Sequence, residues 1–104
     1  MLNISFEFRK GIFFIRLIGD LNKNSYKNIE SEINNLITLN KFKYIVVNTN
    51  HLCNVDFDGL NYITKIYNLT KMTNSNLVIC DKFNMFKILL NNNVPLINDE
   101  LDVL

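Results

Sequence analysis

Two carboxylates flank an aromatic residue in the segment NVDFDGLNYI, residues 54–63, and a glycine follows directly. Asp56 and Asp58 could act as a general acid and base, bind a metal ion, or cap a helix. Acid–base catalysis would call for a histidine or lysine beside them, and the local sequence has none. Asp20 could add a third oxygen ligand, but the spacing is not that of a calcium loop. The segment therefore predicts neither a catalytic site nor a metal site.

The rest of the chain offers no other reactive constellation. Cys53, Cys80 and the single histidine, His51, make a poor metal set and signal no Cys-His nucleophile. Three glycines in the chain form no phosphate-binding loop. A net charge of +1 and a pI near 7.7 indicate no affinity for nucleic acid or an anionic membrane. We therefore expect no enzyme, no cofactor and no nucleic-acid partner.

Chain organisation predicts one domain over residues 1–104, without a linker, a repeat or a low-complexity block. No run approaches the roughly 20 apolar residues of a membrane-spanning helix. The N-terminus MLNISFEFRKG has no basic start followed by an apolar run, so it is not a signal peptide. With two free thiols predicted, we expect a cytoplasmic protein without direct membrane insertion.

The first half of the chain predicts a β-hairpin followed by a helix. NISFEFRKG alternates apolar and polar residues with the period of a strand, and IFFIRLIGDL continues as a second strand after the turn at Lys10-Gly11. NSYKNIESEINNLITL then changes to helical spacing. Asn24 or Ser25 could cap this helix by accepting from the free amides of its first turn.

The second half alternates strands and helices. YIVVNT is a strand covered on both faces, NHLCNV is a loop, and DFDGLNYITKIYNLTK is a helix. NLVIC is a second buried strand, and KFNMFKILLNN is a third helix with four residues facing inward: Phe83, Phe86, Leu89 and Leu90. VPLI is a short strand or extended segment, and NDELDVL forms at most one or two helical turns.

These elements predict an α/β fold. An N-terminal β-hairpin joins a mostly parallel four- to five-stranded sheet, covered by three to four helices through right-handed crossovers. Ligands and partners usually meet such sheets at the carboxyl ends of the strands. Two loops stand there, GDLNKNS after the second strand and NHLCNVDFDG after the third.

Helix capping is a sufficient structural role for both carboxylates. As the N-cap, Asp56 would accept from amides two or three residues on, a contribution of about 1 kcal/mol. Asp58 in the first turn would add about 0.3–1 kcal/mol by its interaction with the helix dipole. Gly59 would allow another backbone or side chain to approach the helix start closely.

The segment NTNHLCNVDFDGLNYI also resembles the signature of STAS domains, the anti-sigma factor antagonist family. In that family a strand ends in Asp-Leu-Ser, and Asp-Ser-Ser-Gly-Leu opens a helix after a loop. Asn48 stands in place of the strand-end aspartate, while the family's aspartate, glycine and leucine match Asp56, Gly59 and Leu60. IRLIGDLNKNSYKNIESEI and NLVICDKFNMFKILLNNNVPLI resemble the flanking elements, so the similarity covers nearly the whole chain.

The chain departs from the family motif at its two serines. The second serine, the family's phosphorylation site, falls on Asp58, and the first falls on Phe57. Asp58 has no hydroxyl to phosphorylate, and its carboxylate carries about one negative charge, a partial mimic of phosphoserine. Phe57 could be an exposed contact anchor or pack into the core behind the helix.

The resemblance implies a STAS-like, non-enzymatic binding module of bacterial partner switching. Such an antagonist binds an anti-sigma factor that is also a serine kinase and so frees a sigma factor. Carried over by position, the partner-binding residues are the following: Asn22, Asn24, Ser25, Asn54, Asp56, Phe57, Asp58, Gly59, Asn61 and Thr64. With Asp58 at the phosphoacceptor position, we expect constitutive rather than phosphate-switched binding.

Two other functions remain open. The chain could be a soluble STAS accessory subunit of a membrane lipid or anion transporter, with the transporter's ATPase subunit as its partner. It could also bind a small molecule or nucleotide, although the sequence offers no dedicated residues for this. Neither alternative changes the expected fold.

Overall fold

The computed structural model describes residues 1–87 and 94–104. In chain order its elements are β1 (Leu2–Arg9), β2 (Ile12–Leu21), α1 (Tyr26–Asn40), β3 (Tyr44–Val55), α2 (Phe57–Met72), β4 (Asn76–Cys80), β5 (Leu96–Ile97) and a 3-10 turn (Glu100–Asp102). Within the described residues, no helix has the length and apolar character needed to cross a membrane.

The five strands form one sheet in the order β1-β2-β3-β4-β5. β1 and β2 are antiparallel, and every later pair is parallel. Lys10 and Gly11 both have positive φ, 53° and 79°, which is the backbone of a tight hairpin turn. The predicted hairpin and mostly parallel sheet are confirmed. The described residues contain two α-helices and one 3-10 turn, fewer than the three to four helices predicted.

Both helices cover the same face of the sheet. α1 buries Ile29, Ile33 and Ile37, and α2 buries Ile63 and Ile66, in one cluster with side chains from β2, β3 and β4. The apolar positions of both helices recur every three to four residues, and burial of these stripes stabilises the helices on the sheet. The helical spacing predicted from the sequence is therefore confirmed.

β3 is longer than predicted. The segment NHLCNV, predicted as a loop, continues the strand to Val55 and pairs with the end of β2, with Asp20 opposite Asn54. Register shifts occur on both sides of the Ile18 and Gly19 pairs. Pairing with β2 satisfies the backbone hydrogen-bonding groups of this segment, and its polar side chains face water. The segment therefore has no apolar run that would mark it as a strand.

The second face of the sheet carries no α-helix in the described part of the chain. Phe14, Val46 and Cys80 form a separate small core there, with Ile97 and Val103 of the C-terminal segment packed against it. Burial of the Cys80 thiol raises its pKa to about 12, so it stays protonated. β3 is therefore covered on both faces along its first half, as its apolar run predicts.

The predicted third helix does not form over residues 82–87, which are turns and bends, and residues 88–93 lie outside the described residues. Asn84 has a left-handed backbone with φ 57°, which interrupts a helix. The buried Asp81 carboxylate accepts from the backbone N–H groups of Met85 and Phe86 at 2.7 and 3.0 Å. Phe83 is 64% exposed, so its predicted burial is wrong, whereas Phe86 is buried as predicted. The predictions for Leu89 and Leu90 fall outside the described residues.

An ion pair joins the C-terminal segment to the second face. The Arg16 guanidinium donates to both Glu100 carboxylate oxygens, at 2.8 and 2.7 Å, and also contacts Glu7 at 2.8 Å. The Asn48 amide donates to Glu100 at 2.7 Å. The hydrogen bonds from Arg16 and then Asn48 hold the pKa of Glu100 below its ordinary value of 4.5, although burial opposes them.

This ion pair predicts a pH-dependent effect of Glu100→Gln on stability. Because the folded pKa is lowered, the contribution of Glu100 is complete above the unfolded pKa and is lost as pH falls through the folded pKa. At neutral pH we expect Glu100→Gln to lower the free energy of unfolding by about 1–2 kcal/mol, and this difference should shrink below about pH 4.5. Thermal unfolding across this pH range measures it. Glu32→Gln, exposed on α1, is the control and should stay close to wild type. A difference that grows on acidification would contradict the ion pair.

Candidate functional site

Asp56 caps α2 and at the same time holds the loop between β2 and α1. One carboxylate oxygen accepts from the Gly59 N–H at 2.8 Å, and the other accepts from the Lys23 N–H at 3.1 Å. The Asp56 N–H donates to the Leu21 carbonyl at 3.2 Å. The predicted N-cap is confirmed. The bonds to Leu21 and Lys23 show that this residue also joins two segments far apart in the chain.

Gly59 brings the first turn of α2 against the end of β2. A Cβ atom on Gly59 would lie 2.4 Å from the Leu21 carbonyl oxygen and 2.9 Å from the carbonyl carbon. Both distances are shorter than any ordinary van der Waals contact, and both involve backbone that cannot rotate away. The close approach predicted for this glycine is confirmed, and its neighbour is the same Leu21 carbonyl that accepts from Asp56.

The loop between β2 and α1 is ordered by its own polar side chains. The Asn22 side-chain oxygen accepts from the N–H groups of Asn24 and Ser25, at 3.0 and 2.9 Å. The Ser25 hydroxyl donates to the Asp20 carbonyl at 2.8 Å and accepts from the Asn22 N–H at 2.9 Å. This network of hydrogen bonds fixes the conformation of the loop up to Ser25, directly before α1 begins at Tyr26.

The predicted side-chain cap of α1 is wrong. Ser25 occupies the N-cap position, but its backbone angles are already helical (φ −77°, ψ −39°) and its side chain accepts no cap hydrogen bond. Because an N-cap side chain reaches the first-turn amides from an extended backbone, this conformation turns the Ser25 hydroxyl away from them. The Asn24 backbone N–H takes part in the Asn22 network instead.

Asn54 joins the ends of β2 and β3 through a second side-chain contact. Its amide donates to the Asp20 carboxylate at 2.8 Å. The pKa of Asp20 is lowered from its ordinary value of 3.8. This hydrogen bond is the largest cause, and the hydrogen bond from the amino terminus is the next largest. Asn54 was predicted in a loop, but it lies in β3 opposite Asp20. The Asp20–Asn54 hydrogen bond therefore fixes the end of β3 two residues before the Asp56 cap.

Phe57 and Asp58 occupy the first turn of α2 directly after the cap. The Phe57 ring is 68% exposed, so the structure places it at the rim rather than in the core. Asp58 is half-buried in the first turn, where a carboxylate interacts favourably with the helix dipole, as predicted. Within the described part of the chain, the Asp58 carboxylate forms no ion pair.

Three predicted residues remain, one just before α1 and two on α2. Asn24 and Asn61 are exposed, and Thr64 is half-buried with its hydroxyl 3.4 Å from the Leu60 carbonyl. The ten predicted residues thus come from three neighbouring segments: residues 22–25, Asn54 and the first two turns of α2. We call this set of ten the docking surface. Its partner-binding role stays a prediction.

Sequence reasoning missed the residues that hold the docking surface together. Leu21 and Lys23 act through backbone groups, and Asp20 acts through its hydrogen bond to Asn54. A backbone group can belong to any residue type, so no sequence pattern marks it. Only Asp20, a carboxylate at the end of a predicted strand, gave a signal in the sequence.

Asn48, which matches the family's strand-end aspartate by position, lies outside the docking surface. It is buried, and its side chain faces Glu100 on the second face of the sheet. Its side-chain oxygen accepts from the Asn50 N–H at 2.9 Å. Among residues 1–87 and 94–104, no three His, Cys, Asp or Glu side chains group closely enough to hold a metal ion.

The double role of Asp56 makes a stability prediction. Asp56→Ala removes the acceptors for both Gly59 and Lys23, so we expect the free energy of unfolding to fall by about 1–2 kcal/mol. Chemical denaturation measures this loss. Asp58→Ala removes a charge but no cap hydrogen bond and serves as the control, with an expected loss below about 1 kcal/mol. Equal losses for the two variants would show that the cap contributes nothing beyond charge.

The model of the STAS domain family matches residues 3–92, which is most of the chain. The chain belongs to the STAS domain family. The resemblance predicted from residues 48–63 and their flanking elements is thereby confirmed.

Solved structures share the whole fold of this STAS domain. The anti-sigma factor antagonist SpoIIAA in its unphosphorylated form has a TM-score of 0.79 at 13% identity, over 99% of this chain and 93% of that one. An anti-sigma factor antagonist from Mycobacterium paratuberculosis has a TM-score of 0.78 at 17% identity, over 98% and 90%. The Bacillus cell fate determinant SpoIIAA in its phosphorylated form has 0.73 at 16% identity, over 99% and 96%. At these identities the likeness shows the fold.

Proposed function

We propose that this STAS domain is a non-enzymatic anti-sigma factor antagonist of a bacterial cytoplasm. Its partner is an anti-sigma factor of the serine-kinase type, and the docking surface binds that partner in the control of transcription. Two solved structures with this fold are described as anti-sigma factor antagonists, which supports the assignment. Binding is constitutive, because Asp58 replaces the serine that relatives would phosphorylate.

The main support for the proposal is the first turn of α2, which carries an exposed aromatic side chain and is held against the end of β2 and the loop that follows it. Asp56 and Gly59 tie this turn to Leu21 and Lys23, so it is held before any partner arrives. Phe57 stands out from it at 68% exposure. Aromatic side chains on rigid supports are common anchors of protein interfaces, since little conformational entropy is lost on binding.

The charge at position 58 distinguishes constitutive binding from a switch. A phosphoserine would place a charge of about −1.5 to −2 at the helix start, whereas an aspartate places about −1 there permanently. A partner that binds this chain must therefore tolerate one negative charge beside Phe57. A hydrogen-bond donor on the partner that fits one carboxylate, but not the larger and more highly charged phosphate, would satisfy that requirement.

Binding to a defined partner tests the proposal. Candidate partners are an anti-sigma kinase and a transporter ATPase subunit, taken from the genes that neighbour this one and purified. Calorimetry with the kinase should give a 1:1 complex that Asp58→Lys weakens. Glu32→Lys, an equal charge reversal exposed on α1, should leave its affinity unchanged. Binding to the ATPase subunit alone would favour the accessory-subunit alternative and overturn the antagonist role.

The missing hydroxyl makes a separate prediction about phosphorylation. We expect the wild-type chain to take up no phosphate at Asp58 when it is incubated with the cognate kinase and ATP. Asp58→Ser should become phosphorylated there to about one phosphate per chain, and its partner affinity should then fall, because the added charge opposes docking. Intact mass and peptide mapping measure both outcomes. Asp58→Asn, which lacks a hydroxyl, is the control. Failure of the kinase to modify Asp58→Ser, despite binding it, would contradict the assigned register.

A further inference from the structure

The second face of the sheet contains a cavity of about 660 Å³, separate from the docking surface. Cationic and imidazole side chains line it together with apolar ones from the C-terminal segment and the turn after β4: Arg9, Arg16, His51, Lys82, Phe83, Leu101 and Leu104. The polar residues Asn48, Asn50, Asp99 and Glu100 complete its lining. Cations beside an apolar wall suit a ligand that has an anionic head and an apolar chain.

Two carboxylates line the cavity, those of Asp99 and Glu100, and Arg16 and Asn48 bind the second of them. Arg16 and Asn48 together donate three hydrogen bonds to its two oxygens, all between 2.7 and 2.8 Å. A guanidinium that donates two parallel bonds to a carboxylate is a geometry-specific recognition unit. The Arg16–Asn48 pair therefore forms a built carboxylate site, and the chain's own Glu100 occupies it.

Hydrogen bonds hold the Glu100 side chain, which is 17% exposed, in this site. Leu101, next to it, is 78% exposed, and the 3-10 turn is closed by its own Asp99–Asp102 capping box. The Asn50 amide donates to the Asn98 carbonyl, and Val103 packs against the second face. A free carboxylate can replace Glu100 bond for bond at Arg16 and Asn48, so the exchange leaves no buried donor unsatisfied.

The surroundings of the site define the rest of the ligand. No described residue forms an ion pair with Arg9 or Lys82, so both cations are available to an anion. Phe83, at 64% exposure, and Leu101 present apolar surface into the same cavity. Covering these two side chains with an apolar chain would remove them from water.

We propose that this cavity binds a small amphiphilic carboxylate. Its head group takes the place of Glu100 on Arg16 and Asn48, and its apolar chain lies against Phe83 and Leu101. Binding releases Glu100, and the 3-10 turn that carries it, from the second face of the sheet. The site is independent of the docking surface, so it holds whether or not the chain is an anti-sigma factor antagonist.

Octanoate is the probe, titrated into the full chain by calorimetry below its micelle concentration. We expect a dissociation constant of about 0.1–1 mM for wild type. Glu100→Gln, which removes the competing charge, should bind about tenfold more tightly. Octanol, which lacks the carboxylate, and acetate, which lacks the chain, should each bind at least about tenfold more weakly than octanoate.

Matched variants make the result decisive. Arg16→Gln should abolish octanoate binding, and Leu101→Ser, at an exposed position, should weaken it while leaving the melting temperature unchanged. Glu30→Gln, on α1, is the control and should bind as wild type does. The proposal is overturned if Glu100→Gln binds no octanoate, if octanol binds equally well, or if folded Leu101→Ser keeps full affinity.

Discussion

Gly59→Ala is expected to lower the free energy of unfolding by about 2 kcal/mol and the melting temperature by about 10 °C. The added methyl group would lie 2.4 Å from the Leu21 carbonyl oxygen, so the backbone of β2 or of α2 must move. That carbonyl also accepts from the Asp56 N–H at 3.2 Å. The strain therefore falls on the same contacts that hold the docking surface.

Helix propensity alone predicts the opposite sign for this substitution. Alanine is more favourable than glycine inside a helix by at most about 1 kcal/mol, so a site with free space would be stabilised. Chemical denaturation of Gly59→Ala decides between the two effects. Asn61→Ala, exposed on the same helix, is the control and should change stability by less than about 0.5 kcal/mol. A variant as stable as wild type would mean that α2 does not approach Leu21 this closely.

Phe57→Ala is expected to weaken the binding of the anti-sigma factor by about 30-fold, which corresponds to about 2 kcal/mol. The ring is 68% exposed in the free protein, so its loss should cost little stability but remove an anchor from the interface. The expected change lies mainly in the dissociation rate, because the ring contributes short-range contact rather than long-range attraction. Surface plasmon resonance with the purified partner measures both rates.

Met72→Ala is the matched control for this experiment. Met72 is 81% exposed at the opposite end of α2, so the substitution removes a similar apolar surface away from the docking surface. Its affinity for the partner should equal that of wild type. Equal losses for Phe57→Ala and Met72→Ala would place the interface elsewhere. Unchanged affinity in both would remove Phe57 from it.

The start of α2 could be predicted from the sequence because its signals are local. An aspartate cap, an acidic first turn and a glycine near the helix start all lie within four residues, 56–59. The STAS resemblance rests on this segment, and the family match over residues 3–92 confirms it. Ser25 shows that such local signals can fail. Its residue type suits an N-cap, but its backbone conformation, set by the Asn22 network, prevents it from capping α1.

The extent of β3 and the conformation of residues 82–87 could not be predicted in the same way. The segment NHLCNV is polar at half of its positions, and it is a strand because β2 lies beside it. The end of a strand is stabilised by hydrogen bonds to a neighbouring strand that is distant in the chain. The sequence of the strand itself does not encode that neighbour. Over residues 82–87, apolar residues at helical spacing fold as turns around Asp81, which supplies acceptors for two backbone amides.

The sequence by itself determined the order of elements from β1 to β4, the apolar faces of α1 and α2, and the cap at Asp56, since periodicity and capping depend on residues within a few positions of one another. Tertiary structure alone decided that Asp56 also holds Lys23, 33 residues away, and that Glu100 reaches Arg16 across 84 residues. Contacts at such separations depend on how the sheet brings distant segments together. The docking surface and the carboxylate site are products of that arrangement.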